Sequence, residues 1–274
     1  MTISYPTPEA YTAGIRATFN AAADQFDQVP LSFWDLCGRK LVDFAGVASG
    51  HRVLDVCCGT GAASLPAAER TGPSGEVVAI DLADRLLDLG RSKAERRGLR
   101  NVDFRVGDLT NLDVPDRAFD VVLCSFGVFF APNLVQAMLE LARAVRPHGG
   151  LSLTTFGPRS FEPATTFFTE TVTAERPDMR RPQAPQETRT PDGLARLCAG
   201  AGLLVPDVQT EVLTMPVTPA EFWIMVEGSF LRAPLDKMGT AGSERVRRHF
   251  MARMEYEGVR EVVSDILYTR ARKP

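Results

Sequence analysis

The chain has 274 residues, a formal net charge of −3 and 45% hydrophobic residues, which suits one large globular domain or one domain with a sizeable insertion. The slightly acidic balance gives no electrostatic basis for tight nucleic-acid binding, and no run of about 18 apolar residues is available to cross a membrane. Met1 to Ala13 lacks the basic and apolar regions of a secretory signal, so a cytoplasmic location is expected.

In chain order, residues 8 to 46 carry helical apolar spacing, with Tyr11, Ile15 and Phe19 on one stripe and Phe33, Trp34, Cys37, Leu41 and Phe44 on a second; Pro30 separates the two helices. A strand over 53 to 57 contains Asp55 and runs into Cys57-Cys58-Gly59-Thr60-Gly61, a glycine turn opening a helix over 61 to 70. Gly72-Pro73-Ser74-Gly75 turns the chain into a strand over 76 to 81 that ends in Asp81, and a helix over 84 to 97 follows. The strand over 102 to 106 ends in Gly107-Asp108-Leu109. After the Pro115-Asp116-Arg117 turn, the strand over 119 to 124 ends in Ser125-Phe126-Gly127. Asn133 and Gln136 read as a capping box for a helix over 134 to 145, and Pro147-His148-Gly149-Gly150 leads into a strand over 150 to 156. This alternation predicts a parallel sheet with helices on both faces.

Beyond Phe156 the rhythm changes. A helix over 159 to 175 precedes a stretch, 176 to 191, whose Pro177, Pro182, Pro185 and Pro191 predict a mobile loop. Then come a helix over 192 to 201, a strand over 207 to 214, helices over 219 to 231 and 242 to 257, and a last strand over 265 to 272. Arg180-Arg181 and Arg245-Arg247-Arg248 are short basic clusters that a solvated face or loop explains. Neither the five scattered cysteines nor the three isolated histidines, His51, His148 and His249, have metal-ligand spacing, so reduced thiols and no metal are expected.

A single glycine turn is weak evidence for a nucleotide-type pocket, but four strands that each end in a small or acidic residue are much more specific, because ligands of open α/β sheets bind at those ends. Asp81 stands about 20 residues past the turn, the position from which an acid accepts ribose hydroxyls. Asp55 inside an apolar strand is costly without a partner. Asp108 also suits an Asx-turn, and Cys57 and Ser125 also suit simple small-residue packing.

The runs Val53 to Gly61, Ile80-Asp81-Leu82, Gly107-Asp108-Leu109, Phe119 to Gly127 and Leu141 to Gly150 resemble the class I S-adenosylmethionine-dependent methyltransferases, in the branch of the ubiquinone and menaquinone C-methyltransferases and many natural-product enzymes. The resemblance implies a Rossmann-like α/β sheet, mostly parallel with an antiparallel last strand, carrying helical N-terminal and lid insertions. It implies one domain over 1–274, with a core at about 50–156, 192–214 and 263–273, N-terminal helices at 8–46, and lid segments at 157–191 and 216–260. S-adenosylmethionine is then the expected cofactor. Asp55, Cys57, Gly59 and Gly61 would serve its methionine end, Asp81 its ribose, Leu82, Gly107, Asp108 and Leu109 its adenine, and Ser125 would close the pocket near the sulfonium. In the same branch aromatics fold over the cofactor. Phe26, Phe33, Phe126, Phe130 and Trp223 are therefore candidate substrate-side residues, although each also suits core packing.

The sequence Cys124-Ser125-Phe126-Gly127 lacks the motifs that hold adenine or glutamine amines and the Pro-Cys pair used for covalent attack on pyrimidines, and the apolar, aromatic-rich lid makes a small, partly hydrophobic acceptor the expectation. No catalytic residue is singled out; Tyr256, Tyr268, Glu227 and Asp236 are conceivable bases. Two rivals stand beside methyl transfer: a non-methylating cyclase or binding module of the same fold, and an NAD(P)-dependent oxidoreductase. Against the latter, the third glycine of the dinucleotide fingerprint is replaced by Ser64.

Overall fold

In the computed structural model, which describes residues 7–179 and 184–274, seven strands form one sheet: β1 (Arg52–Val56), β2 (Glu76–Asp81), β3 (Val102–Val106), β4 (Phe119–Ser125), β5 (Val145–Phe156), β6 (Asp207–Pro216) and β7 (Glu261–Arg272). Their order is β3-β2-β1-β4-β5-β7-β6. The first five are parallel, and β7 runs antiparallel between β5 and β6. The chain leaves β1 toward one edge and returns at β4 toward the other, so the C-terminal ends of β1 and β4 flank a crevice at the switch of direction.

The central strands are buried on both faces, which is why they read as continuous apolar runs. On one face Val53, Val121 and Leu123 pack beneath α2 (Phe33–Ala45) and α3 (Ser64–Thr71). On the other, Leu54, Val78, Val122 and Leu151 meet α5 (Leu134–Ala144) and α7 (Pro191–Gly200) through Met138, Leu141 and Leu194. Full burial of each such side chain contributes about 1.5–3 kcal/mol.

The helices begin where local chemistry permits. Thr7 accepts from the Ala10 amide and Pro8 occupies the first turn of α1 (Pro8–Phe26); a 3₁₀ turn at Val29–Ser32, containing Pro30, separates it from α2. Gly46 ends α2 in the left-handed region, φ 71°. α4 (Asp84–Arg96) carries its apolar residues on one stripe. α6 (Ala164–Glu175), α8 (Pro219–Glu227), α9 (Ala233–Asp236) and α10 (Gly239–Tyr256) build a second layer, in which Phe168, Phe222, Trp223 and Phe250 pack together.

Several boundaries differ from the sequence reading for physical reasons. α3 starts at Ser64, because Gly59 and Gly61 both hold positive φ and cannot be helical. β5 begins at Val145, and Pro147 to Gly150 form an irregularity within it, with His148 at φ 62° and its amide bonded to the Lys273 carbonyl. α6 starts only at Ala164, since residues 157 to 163 are held as a loop in which Glu162 pairs with Val263. Asn133 caps α5 from one side only; the reciprocal box is at Thr218 and Glu221, at the start of α8. The predicted loop at 176 to 191 includes a 3₁₀ turn at Gln186–Arg189, while Arg180 to Gln183, with the Arg180-Arg181 cluster and Pro182, lie outside the described residues. Arg245 and Arg247 of the second cluster are paired with Glu175 and Glu244.

Candidate functional site

A cavity of about 880 Å³ opens over the C-terminal ends of β1 to β4. Asp55, Cys57, Gly59, Asp81, Leu82, Gly107, Asp108, Leu109 and Ser125 all line it. Gly61 does not: it holds φ 92° and packs inward, where an added β-carbon would lie 3.0 Å from Leu65 and 3.2 Å from Phe104.

Two carboxylates organise the floor. Asp81, at the tip of β2, accepts the Gly59 amide at 2.8 Å through Oδ2 and the Ala83 amide at 2.9 Å through Oδ1. The Cys58 amide donates to the Ile80 carbonyl, so the glycine turn is tied to β2 by backbone and side chain together. Burial raises the Asp81 carboxyl despite these bonds. Asp55 is 1% exposed; its Oδ2 accepts the Ser64 hydroxyl at 2.5 Å, while Oδ1 is buried without a hydrogen-bond partner. Burial, with the charge of Asp81 beside it, pushes the Asp55 carboxyl up to about 7. An orphaned buried carboxylate oxygen facing a cavity calls for a donor from a ligand, and a cationic donor would hold Asp55 ionised.

Asp108 forms the Asx-turn that its position allows: Oδ1 accepts both the Thr110 amide at 2.7 Å and the Thr110 hydroxyl at 2.8 Å. Gly107 gives the close approach there, since a β-carbon would meet Ile80 at 2.8 Å. Cys57 is no free nucleophile: a hydrogen bond with Cys124, together with burial, raises its thiol well above the usual range.

The upper wall is aromatic. Phe26, Phe126 and Phe130 line the cavity with Trp34, Phe19 and Phe230; Phe126 and Phe156 lie 4.5 Å apart, and Phe130 and Phe230 lie 4.9 Å apart. Trp34, on the second apolar stripe, stacks on Phe26, and its indole Nε1 is buried without a partner among the described residues. Two proposed substrate residues belong elsewhere. Phe33 is 3% exposed and packs beneath Phe126, Phe156 and Phe161, and Trp223 is 6% exposed against Phe168 and Phe250. Cys57, Phe126 and Phe161 hold φ of 59°, 52° and 57°, a left-handed conformation unusual for non-glycine residues and concentrated at functional sites.

None of the conceivable bases reaches the cavity. Tyr256 is 87% exposed, Tyr268 is buried beneath α2, Asp236 is paired with Arg232, and Glu227 lies outside the lining. Among the described residues there is no metal-binding cluster of His, Cys, Asp and Glu, and no helix is long and apolar enough to span a membrane.

Residues 53–149 match the family described as a methyltransferase domain. The matched stretch holds the glycine turn, Asp55, Asp81, Asp108 and Ser125, and stops short of α1, α2 and the layer built by α6 to α10. Over 141 residues the chain is 37% identical to aklanonic acid methyltransferase DauC from Streptomyces sp. strain C5, covering 52% of this chain and 64% of that protein. Over 114 residues it is 39% identical to demethylmenaquinone methyltransferase from Listeria welshimeri, covering 42% and 48% respectively. The chain thus matches between about half and two thirds of the length of these relatives. In fold it is similar to phosphoethanolamine N-methyltransferase 2 from Haemonchus contortus, with a TM-score of 0.60 over 98% of this chain and 61% of that one, at 15% identity. The likeness is one of fold, a mostly parallel seven-stranded sheet with one antiparallel strand flanked by helices.

Proposed function

We propose that the chain binds S-adenosylmethionine and methylates a small, partly hydrophobic organic acceptor of natural-product or quinone type. The observation that carries this reading is the unpartnered Oδ1 of Asp55, buried in a cavity that also presents Asp81, Asp108 and an open glycine turn. A dinucleotide has no cationic N–H donor to place there, since the charged ring nitrogen of an oxidised nicotinamide bears no hydrogen, whereas the methionine end of this cofactor has an ammonium group. The methyltransferase names of the relatives favour transfer over a non-methylating cyclase.

When bound, the cofactor supplies a methyl group already activated by a sulfonium. Asp55 would hold the ammonium, Gly59 would let the backbone approach, and the Asp81 oxygens would use their remaining lone pairs for the ribose hydroxyls. Asp108, with Gly107, Leu82 and Leu109, would frame the adenine, and Cys57 and Ser125 would line the pocket between turn and acceptor. Phe126, Phe130 and Phe26 would exclude water and face the positive charge, which strengthens electrostatic fit in a dry site. Much of the protein's task is then alignment of an in-line displacement. We further propose that the core segments, the N-terminal helices and the lid segments act as one domain, without nucleic acid, in the cytoplasm.

Calorimetry with S-adenosylhomocysteine and, separately, NAD(P) tests the cofactor. Heat with the nicotinamide alone would overturn it. Mass spectrometry of candidate acceptors after incubation tests the transfer, by a gain of one methyl mass.

A further inference from the structure

One wall of the cavity is not accounted for by the cofactor. α6 reads Ala164-Thr165-Thr166-Phe167-Phe168-Thr169-Glu170-Thr171-Val172-Thr173-Ala174-Glu175, a helix unusually rich in threonine. Threonine is a poor residue for a helix interior, because its branched side chain loses rotamer freedom and its hydroxyl competes for the backbone. Such a conflict between local propensity and fold is expected where function sets the sequence. Thr165, Thr166, Thr169 and Thr173 line the cavity.

Their hydroxyls already donate to protein oxygens. Thr165 donates to the Ser160 carbonyl at 2.6 Å, Thr169 to the Thr165 carbonyl at 2.8 Å and Thr173 to the Thr169 carbonyl at 2.8 Å. Thr166 donates to the Glu162 carboxylate at 2.6 Å. Carbonyls and carboxylates only accept, so the Thr165 and Thr166 hydroxyls, with their protons placed in this way, meet a ligand as acceptors. A ligand hydroxyl that meets Thr165 or Thr166 in this arrangement is the donor.

The same wall carries a guanidinium. Arg189 lines the cavity and donates to the Pro158 carbonyl at 2.8 Å, fastening it to the loop that leads into α6. Among the described residues no carboxylate lies within ion-pair distance of Arg189, whereas Arg16, which also lines the cavity, is paired with Asp84 at 2.9 Å. A half-buried guanidinium without a counter-ion, in a largely apolar pocket, suits an anionic oxygen on a ligand.

We propose that this wall recognises an acceptor bearing an ionised acidic oxygen and hydroxyl groups on one edge of an apolar body. Arg189 takes the anion, Thr165 and Thr166 accept from hydroxyls, and Phe130 and Phe230 pack on the apolar part. The inference rests on the proposed cofactor reading, because the probes are offered to protein saturated with S-adenosylhomocysteine.

The probes are 6-hydroxy-2-naphthoic acid, its methyl ester and 2-naphthoic acid, followed by calorimetry. The wild-type chain is expected to bind the hydroxy acid at least about tenfold more tightly than its ester. Arg189→Gln abolishes that preference, and Arg189→Lys, which keeps the charge, retains part of it and so separates a charge effect from a folding effect. Thr165→Val and Thr166→Val, which preserve shape, lower affinity for the hydroxy acid about fivefold and leave 2-naphthoic acid unchanged. Equal binding of acid and ester by the wild type, a preference that survives in Arg189→Gln, no hydroxyl-specific loss in the valine variants, or no heat with any probe would each overturn the proposal. Failure to bind S-adenosylhomocysteine at all would instead strike the cofactor reading.

Discussion

Gly127 and Cys57 are packed so closely that a β-carbon on Gly127 would lie 2.2 Å from the Cys57 β-carbon and 2.7 Å from its sulfur. The end of β4 is thereby pressed against the residue that turns β1 into the glycine loop. Gly127→Ala cannot be accommodated by rotating a flexible side chain, because the obstructing atom is fixed to the backbone. A loss of about 1–3 kcal/mol is expected in denaturant unfolding, typical of overpacking. Cys57→Gly should restore part of it, since it removes the obstruction and suits φ 59°. A double variant no better than Gly127→Ala would mean that the contact is not the cause.

The sheet, the strand tips and most of the residues on the cavity floor were legible because each is written locally, as an apolar run ended by glycine, aspartate or serine. What was not legible depends on rotation about a helix axis or on distant partners. Phe33 and Trp34 are neighbours with the same apolar character, yet Phe33 faces the core and Trp34 faces the cavity. Helical spacing alone does not separate residues so close on the stripe. Gly127 reads as a simple strand end until its contact with Cys57 is known. The α6 threonines carry a signal, a cluster of poor helix formers, but Arg189 is distinguished only by the absence of a carboxylate beside it, which no local pattern encodes.

Asp55 predicts a pH dependence with a definite sign. Its carboxyl, pushed up to about 7 by burial and by Asp81, stays protonated in the folded chain where an unfolded aspartate, near about 4, has lost its proton. The native state therefore binds more protons in that window, and the contribution of Asp55 to stability is full below about pH 4 and lost as pH rises through about 7. A cationic ligand needs the ionised form, so affinity for S-adenosylhomocysteine should climb from about pH 6 to about pH 8 and then level. Asp55→Asn should bind weakly with a flat profile. Calorimetric titrations over this range decide it; a pH-dependent Asn variant would remove Asp55 from the ammonium site.

Asp81→Asn should weaken S-adenosylhomocysteine binding by about 1–3 kcal/mol, the loss of a charge-assisted hydrogen bond at a partly buried site. The side chain also holds the Gly59 and Ala83 amides, and an amide can accept both only by offering one oxygen to two donors. Faster hydrogen exchange at Gly59 should therefore accompany the weaker binding. Unchanged affinity would exclude Asp81 as the ribose partner.

Lys93 joins the glycine turn to the N-terminal helices. Its side chain, 11% exposed, lies 3.1 Å from both Asp27 and Thr60, and the Thr60 hydroxyl donates to Asp27 at 2.7 Å. Lys93→Met keeps the apolar stem and removes the charge. Limited proteolysis should then cut sooner between α1 and α2, near Asp27, and S-adenosylhomocysteine should restore protection. A cleavage rate equal to that of the wild type would show that this junction is held by apolar packing alone.

The reassignment of Trp223 from the acceptor wall to the core separates two effects that sequence alone leaves merged. Trp223 packs against Phe168 and Phe250, and Phe250 is fully buried between them and Phe222. Phe250→Ala should cost about 3–5 kcal/mol, because the surrounding aromatics cannot collapse into the space that it leaves. Trp223→Phe, a milder loss of volume, should lower the melting temperature while leaving KM for a methylated acceptor within about twofold, as expected of a residue that does not line the cavity. Phe130→Ala should do the reverse, raising KM with little change in melting temperature. If Trp223→Phe raised KM as much as Phe130→Ala, the layer of α8 and α10 would belong to the acceptor site after all.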